Sequence, residues 1–215
     1  MGTRNVTYVQ LDGEYKVAQY CQWDGYPTGQ GKTIVDFLEN VMDREIFEKK
    51  LRALVHITDK QVEKKLKEEF NVAFGSNGIP VKIYDKFSER YPQLSIDTGA
   101  DILKIIQEKP EGLEIVLDLE FANNSLYCEW AYVIDLDKDQ FEIYTGFNKV
   151  PLPEGERFKS KSANSDGYYP VKLVATYPLG NLPTEQHLET LERKVWEKIN
   201  YLMKPWSFSN LQQNI

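Results

Sequence analysis

The first strongly patterned part of the chain alternates apolar and polar residues. Residues 5–10, NVTYVQ, and residues 15–21, YKVAQYC, both show the two-residue period of a half-buried strand. The LDGE segment between them contains an Asp-Gly pair, which favours a tight turn between antiparallel strands. The pattern therefore predicts a β-hairpin near the start of the fold.

Helical periodicity follows, in a predicted helical insertion over about residues 32–108. TIVDFLENVM, REIFEKKLRALV, DKQVEKKLKEEF and SIDTGADILKIIQE have apolar residues at helical spacing. Thr58 or Asp59 is expected to cap the third of these helices, and Asp97 or Thr98 the fourth. NVAFGSNGIPVK is predicted to be a loop, and PVKIYDKF leaves room for a short extended piece.

The second half changes to β-rich patterns over about residues 113–178. The predicted strands are LEIVLDLEF, SLYCEWAYVIDLD, QFEIYTGFN and VKLVATYPL, with DLDKDQ as a hairpin connection. A closing helix is expected at about 184–203. Segregated strands and helices predict a single α+β domain over residues 1–215, in which the N-terminal hairpin joins the later strands in a mainly antiparallel sheet packed against several helices.

Composition narrows the classes of function. The net charge of −7 disfavours nucleic acid and anionic membranes as partners, and KQVEKKLKEEF is typical of a solvated helix face. There is no apolar run of 18 residues and no N-terminal signal pattern, so the expected location is the cytoplasm. Two cysteines and two histidines predict neither a disulfide framework nor a metal site, and no cofactor is expected. His56 is expected in the core and His187 on the surface.

The glycine-rich stretch WDGYPTGQGKT ends like a nucleotide-binding phosphate loop, in Gly31-Lys32-Thr33. The first glycine of that motif should stand five positions upstream of Gly31, where this chain has Tyr26. Pro27 also removes one of the backbone donors that such a loop uses. We therefore interpret the stretch as a turn that enters a helix near Lys32, whose N-terminal amides could still attract an anion.

A longer pattern carries a family resemblance. The segments MGTR, QWDGYP and GQG, followed by DTGADIL and by CEWAYVIDLD with FEIYTGF, resemble a family of uncharacterised proteins from bacteria, phages and some fungi. Cys21 stands where that pattern has glycine, and the pattern ends at Gly31, so Lys32 is not part of it. The resemblance implies no particular activity or cofactor.

Polar and aromatic side chains are concentrated around the predicted glycine turn. Trp23 and Tyr26 could stack on a flat ligand, while Gln22, Asp24 and Gln30 could supply donors and acceptors. The alternative is structural: Asp24 forms an Asx turn with Gly25, and Trp23 fills the core. Both interpretations remain open at the level of sequence.

One strand of the second half adds further candidates. Two-residue alternation puts Tyr127, Glu129, Ala131 and Val133 on one face, and Leu126, Cys128, Trp130, Tyr132 and Ile134 on the other. Burial among apolar neighbours would raise the pKa of Glu129, which could act as a general acid or base or could pair with Arg4. The predicted ligand-binding residues are Arg4, Gln22, Trp23, Asp24, Tyr26, Gln30, Glu129 and Tyr132.

Three functions are compatible with these patterns. The favoured hypothesis is a protein that binds a polar, nucleotide-like small molecule in an aromatic-lined pocket near the QWDGYP turn. An amidohydrolase with an N-terminal nucleophile is an alternative that requires processing to expose Thr3. The third is a phage or mobile-element protein that acts on a host partner. A homo-oligomer or another protein partner also stays open.

Overall fold

The computed structural model of the protein describes residues 2–71, 79–158 and 162–203, with side chains as far as residue 199. Within these ranges the chain forms a single α+β domain built on a five-stranded sheet. None of the helices in the described part combines the length and apolar character needed to span a bilayer.

The predicted N-terminal hairpin is confirmed. Strands β1 (Asn5–Leu11) and β2 (Glu14–Cys21) pair antiparallel, with Asn5 opposite Cys21 and Leu11 opposite Glu14. Asp12 and Gly13 turn the chain with φ values of 57° and 76°, the left-handed geometry that a tight hairpin turn requires. The local Asp-Gly signal is therefore sufficient to fix this hairpin.

The sheet combines the hairpin with strands from the second half of the chain, as the sequence predicts. Its order is β2-β1-β5-β6-β7, where β5 is Trp130–Asp135, β6 is Gln140–Thr145 and β7 is Lys172–Pro178. All neighbours are antiparallel except β1 and β5, which run parallel with Asn5 opposite Trp130. The amino ends of β1 and β5 therefore lie side by side.

Helices fill the connection between β2 and the later strands. Their bounds are α1 (Lys32–Asn40), α2 (Arg44–Arg52), α3 (Asp59–Phe70), α4 (Val81–Arg90) and α5 (Ile102–Glu108), and α6 (Glu185–Met203) follows the sheet. A small parallel sheet of β3 (Val55–His56) and β4 (Glu114–Ile115) lies among them. Thr58 forms the predicted cap of α3, in a capping box with Gln61.

The sheet has a buried cluster of apolar side chains on each face. Trp130, Tyr132 and Ile134 of β5 pack with residues of α1, α2, α5 and α6. The alternating positions Ala131 and Val133 pack on the other face, together with residues of connecting segments. Two-residue alternation along β5 thus separates a helix-covered face from a loop-covered face.

Four local predictions are wrong. PVKIYDKF contains no extended piece, because Val81–Arg90 is helix α4. In LEIVLDLEF only Glu114–Ile115 is a strand, and in SLYCEWAYVIDLD the strand begins only at Trp130. Cys128 precedes that strand and packs in the loop-side cluster with Ala131, opposite to the predicted face. In each case tertiary packing overrides a short apolar pattern that fits both strand and helix.

The two histidines both lie on the surface. His187 was expected there, but His56 was expected in the core and is exposed in the two-residue strand β3. Its Nε2 lies 3.0 Å from the carbonyl oxygen of Lys16. The apolar stretch around His56 packs through Leu51 and Ile57, which leaves Val55 and His56 at the surface.

Candidate functional site

The glycine-rich stretch forms the first turn of a helix and not a phosphate loop. Residues Pro27–Gly31 make a π-helical turn that continues directly into α1. The N–H groups of Gly29 and Gly31 donate to the Tyr26 carbonyl at 3.0 and 3.3 Å, and that of Gln30 donates to the Asp24 carbonyl at 2.9 Å. The chain itself uses these donors, so they are not available for the anion that the sequence analysis allows at this helix start.

A carboxylate of the chain also occupies the start of this helix. Glu192 of α6 accepts hydrogen bonds from the Thr28 hydroxyl at 2.7 Å and from the Thr28 backbone N–H at 3.3 Å. A negative charge is favourable at a helix N-terminus, where backbone donors and the helix dipole point outward. Glu192 thus takes the position that an external anion would need.

Two glycines are required by close approach. A Cβ on Gly29 would lie 2.3 Å from the Asp24 carbonyl oxygen, and one on Gly31 would lie 3.1 Å from the Tyr132 ring. The Tyr132 hydroxyl donates to the Gly25 carbonyl at 2.7 Å, and the residue is fully buried. Tyr132 therefore braces the glycine turn from inside the core.

Trp23 does not fill the core as the structural interpretation expects. It is 49% exposed, and its indole N–H donates to Asp97 at 2.9 Å. Neither Asp97 nor Thr98 caps the following helix, since the Thr98 hydroxyl donates to the Pro92 carbonyl. Asp24 adopts a left-handed backbone with φ of 52°, consistent with its place in a tight turn.

Arg4 and Glu129 form the ion pair that the sequence offers as one alternative. Their side chains approach to 3.9 Å between Nε and Oε1, and the Arg4 backbone N–H donates to the same oxygen at 3.3 Å. The Arg4 guanidinium also lies 4.9 Å from the centre of the Tyr127 ring. Burial raises the pKa of Glu129, and the backbone and charge of Arg4 oppose that rise.

The remaining predicted site residues make separate tertiary contacts. Gln30 accepts from the Ala100 N–H at 2.7 Å, and the Tyr26 ring lies 6.5 Å from that of Trp196. Gln22 accepts from the Tyr20 hydroxyl, and its backbone N–H donates to the Ile96 carbonyl at 3.1 Å. These contacts connect the QWDGYP turn to its neighbours and use several of the polar groups proposed for a ligand.

Two of the eight predicted residues are in contact, and a third lies on the opposite face of the sheet from them. Arg4 and Glu129 are in contact, whereas Tyr132 packs in the helix-side cluster, and strand alternation puts it on the opposite face of the sheet. None of the eight lines either of the two cavities described below.

The first cavity, of about 450 Å³, lies beside a clamp centred on Arg157. The Arg157 guanidinium donates to both oxygens of Glu142 at 2.7 and 2.9 Å, to Asp135 at 2.5 Å and to Gln10. Tyr144 donates to the same Glu142 carboxylate at 2.6 Å. The charges of the clamp are thus paired with one another, which favours a structural role.

The second cavity, of about 310 Å³, opens between the edge strand β2 and helices α3 and α4; we call it the β2–α3 cavity. It is lined by Gln19, Tyr20, Asp59, Val62, Glu63, Leu66, Ile79, Tyr84, Phe87, Gln93, Leu94, Ser95, Ile96, Val116 and Asp118. Its walls are mainly apolar and aromatic, with a small number of polar groups, as is usual for small-molecule sites.

Several hydrogen bonds fix the wall of the β2–α3 cavity. The Tyr84 hydroxyl contacts Ser95 Oγ at 3.1 Å and accepts from the Ile96 N–H at 3.1 Å. Gln19 donates to the Ser95 carbonyl at 3.0 Å. These bonds hold Ser95 and Ile96 against β2 and α4. This wall of the cavity is therefore ordered before any ligand binds.

Asp118 is the most perturbed acid at this cavity. The residue as a whole is exposed, but neighbouring atoms partly shield its carboxyl group from water. This partial desolvation raises the pKa of the Asp118 carboxyl group. The nearby Tyr20 N–H opposes this rise, and the negative charge of Asp59 adds to it. Burial also raises the pKa of the Tyr20 hydroxyl. Perturbed groups in a cleft are typical of functional sites.

Sequence reasoning missed this cavity because its second wall was not recognised. Asp59, Val62, Glu63 and Leu66 recur at the spacing of one helix face, a pattern we interpret above as a solvated face. The opposing wall is α4, where the sequence suggests a loop with an extended piece. Tyr84 and Phe87 are three residues apart, which is the spacing of one helix face. Recognising Val81–Arg90 as a helix would have indicated a second wall opposite α3.

Three other candidate nucleophiles of the described chain are buried. Cys21 and Cys128 are both buried, and burial raises the pKa of each thiol. Thr3 is 5% exposed. Among the described residues, no group of three or more histidine, cysteine, aspartate or glutamate side chains is placed to hold a metal ion.

No protein family, curated protein or solved structure matches the chain.

Proposed function

We propose that the protein binds a small organic molecule in the β2–α3 cavity. The observation that carries this proposal is the combination of a cavity of about 310 Å³, apolar and aromatic walls, and a partly desolvated Asp118. Cavities of this size and character are where small ligands bury most of their surface. The surrounding hydrogen bonds would spare the ligand the cost of ordering the wall.

The proposed cavity lies next to the QWDGYP turn, as predicted, but its lining residues differ from the predicted ligand-binding residues. Tyr20 lines the cavity and donates to Gln22, and Ile96 lines it and accepts from the Gln22 N–H. The turn would therefore support the cavity wall, while the ligand contacts residues of β2, α3 and α4. The acidic lining disfavours a phosphate-bearing ligand, so the charges support an organic molecule other than a nucleotide.

Thermal-shift screening against a metabolite panel tests the proposal, because a ligand that binds only the folded state raises the melting temperature. Val62→Trp is designed to fill the cavity from α3, and Trp23→Ala removes the most exposed aromatic ring of the QWDGYP turn. We expect stabilising compounds to lose their effect on Val62→Trp and to keep it on Trp23→Ala.

Two outcomes would contradict the proposal. The first is a panel in which no compound stabilises the wild-type protein. The second is a compound that loses its effect on Trp23→Ala but not on Val62→Trp, which would return the ligand to the QWDGYP turn. Circular dichroism of both variants checks that each retains the fold.

A further inference from the structure

We infer that the ligand of the β2–α3 cavity carries a positively charged nitrogen, which pairs with Asp118 and its acidic neighbours while an apolar body contacts α3 and α4. This inference rests on the proposed function and specifies the chemical class of the ligand: an organic amine.

The charged side chains that line the β2–α3 cavity are all acidic. Asp59, Glu63 and Asp118 line the cavity, and the described residues of its lining include no lysine, arginine or histidine. None of the three acids forms an ion pair with any side chain in the part of the chain that the structure describes. Nearby Glu114, in contrast, pairs with Lys65 at 2.6 Å. The cavity therefore presents uncompensated negative charge to its contents.

The environment of Asp118 strengthens this preference. Partial desolvation and the nearby charge of Asp59 both make the ionised form of Asp118 less favourable in the empty protein. A cationic group beside Asp118 would offset both effects, because opposite charges attract more strongly where water is partly excluded. A neutral ligand would offset neither.

Gln93 adds a neutral polar group to the cavity lining. It lies in a short 3₁₀ turn, Pro92–Leu94, and the residue is only 8% exposed. Its side-chain amide does not belong to the buried groups that lack a hydrogen-bond partner among the described residues, so it is open to water and can exchange that water for a ligand. The Gln93 carbonyl oxygen could accept from an ammonium N–H.

The apolar walls favour an organic cation over a metal ion. Val62, Leu66, Phe87 and Val116 contribute surface that a metal ion could not contact usefully. Within the described ranges the acids are not grouped closely enough to hold a metal. Aromatic and aliphatic walls suit the hydrocarbon part of an amine, and aromatic rings also attract cations.

Matched compounds test the inference separately from the proposed function. Each probe is an aliphatic or aryl-alkyl amine, such as 2-phenylethylamine, compared with its alcohol and its carboxylate of the same skeleton by calorimetry at pH 7. We expect amines to bind about tenfold or more tightly than the alcohols, and the carboxylates to bind more weakly still.

Substitution of Asp118 tests whether its carboxylate is the group that pairs with the amine. Asp118→Asn should weaken amine binding by about tenfold or more and leave alcohol binding within about twofold. Because the carboxyl pKa is raised in the fold, this variant should unfold at no lower urea concentration than wild type at pH 7, so lost binding cannot be ascribed to unfolding. Asp85→Asn, on the exposed part of α4 and outside the lining, is the control for a general change in net charge.

The outcomes separate the two proposals. Alcohols that bind as tightly as the amines, or an Asp118→Asn variant that binds amines normally, would overturn the inference and leave a neutral-ligand binding function intact. Binding of no amine, alcohol or carboxylate in the series, together with a failed metabolite screen, would overturn both.

Discussion

The backbone N–H and the guanidinium of Arg4 both approach one carboxylate oxygen of Glu129. The distances to Oε1 are 3.3 Å from the backbone nitrogen and 3.9 Å from Nε. The contact joins the amino ends of the parallel strands β1 and β5, whose first paired residues are Asn5 and Trp130. The contact gives the Glu129 carboxylate a structural partner, and it offsets only part of the effect of burial on the Glu129 pKa.

Glu129 should make stability depend on pH. Burial raises its folded-state pKa above the ordinary value of 4.5, so its contribution to stability is fully present below that pH and is lost as pH rises through the folded-state pKa. Glu129→Gln should remove this dependence. We expect the unfolding free energy of the variant, minus that of wild type, to become more positive as pH increases from about 4 to about 7.

Urea denaturation at several pH values measures that difference. Glu89→Gln, at an exposed position of α4 that forms no ion pair with the described residues, controls for the loss of one surface charge. A difference for Glu129→Gln that stays constant over the whole pH range would show that this carboxylate does not contribute in the stated way.

Arg157 should be among the most important polar residues for stability. Its guanidinium bonds Asp135, Glu142 and Gln10, and removing it would leave two largely buried carboxylates without their main partner. We expect Arg157→Ala to lower the unfolding free energy by about 3 kcal/mol. Arg157→Lys should recover only part of that loss, because an ammonium cannot reproduce the two-pronged contact with Glu142.

The matched control for Arg157 is Arg193→Ala on α6, which is exposed and forms no ion pair within the described chain. It should change the unfolding free energy by less than about 0.5 kcal/mol. Equal effects of the two alanine variants in chemical denaturation would disprove the clamp.

Gly29 should tolerate no side chain. A Cβ there would lie 2.3 Å from the Asp24 carbonyl oxygen, a backbone atom that the turn holds in place. Gly29→Ala should therefore destabilise the protein by about 2 kcal/mol. At Gly180 no atom lies within 4 Å of an added Cβ, so Gly180→Ala should be nearly neutral. Melting temperatures of the pair measure the contrast, and a neutral Gly29→Ala would mean that the turn relaxes freely.

Glu192 should stabilise the glycine turn by capping its first N–H and the Thr28 hydroxyl. Removal of a helix N-terminal cap costs about 1 kcal/mol, and we expect that loss for Glu192→Ala. Glu189→Ala is the control, because Glu189 is exposed on the same helix and makes no contact of this kind among the described residues. Urea midpoints distinguish the two, and indistinguishable values would remove the capping role.

Local chemistry explains which parts of the fold could be predicted. The Asp12-Gly13 turn, the alternating strands beside it and the helical spacing of Lys32–Asn40 depend on residues close in the chain, and each was predicted. Val81–Arg90 was not recognised as a helix, because a short apolar segment after a proline fits more than one structure.

The candidate site depends even more than the fold on contacts between distant parts of the chain. The pairing of Arg4 with Glu129 was one of two predicted alternatives, and the β2–α3 cavity is lined by none of the eight predicted residues. The β2–α3 cavity depends on Asp118 and Gln93 approaching α3 from distant parts of the chain. No spacing within a single element could indicate that approach.

The sequence by itself determined the hairpins, the helical segments other than Val81–Arg90 and the α+β class, because turn residues and hydrophobic periodicity act between near neighbours along the chain. Tertiary structure alone decided that β1 lies parallel to β5, that the glycine amides bond to Asp24 and Tyr26, and that Asp118 lines a cavity without a cationic partner among the described residues. The physical reason is that hydrogen-bond partners, burial and uncompensated charge depend on which distant segments pack together.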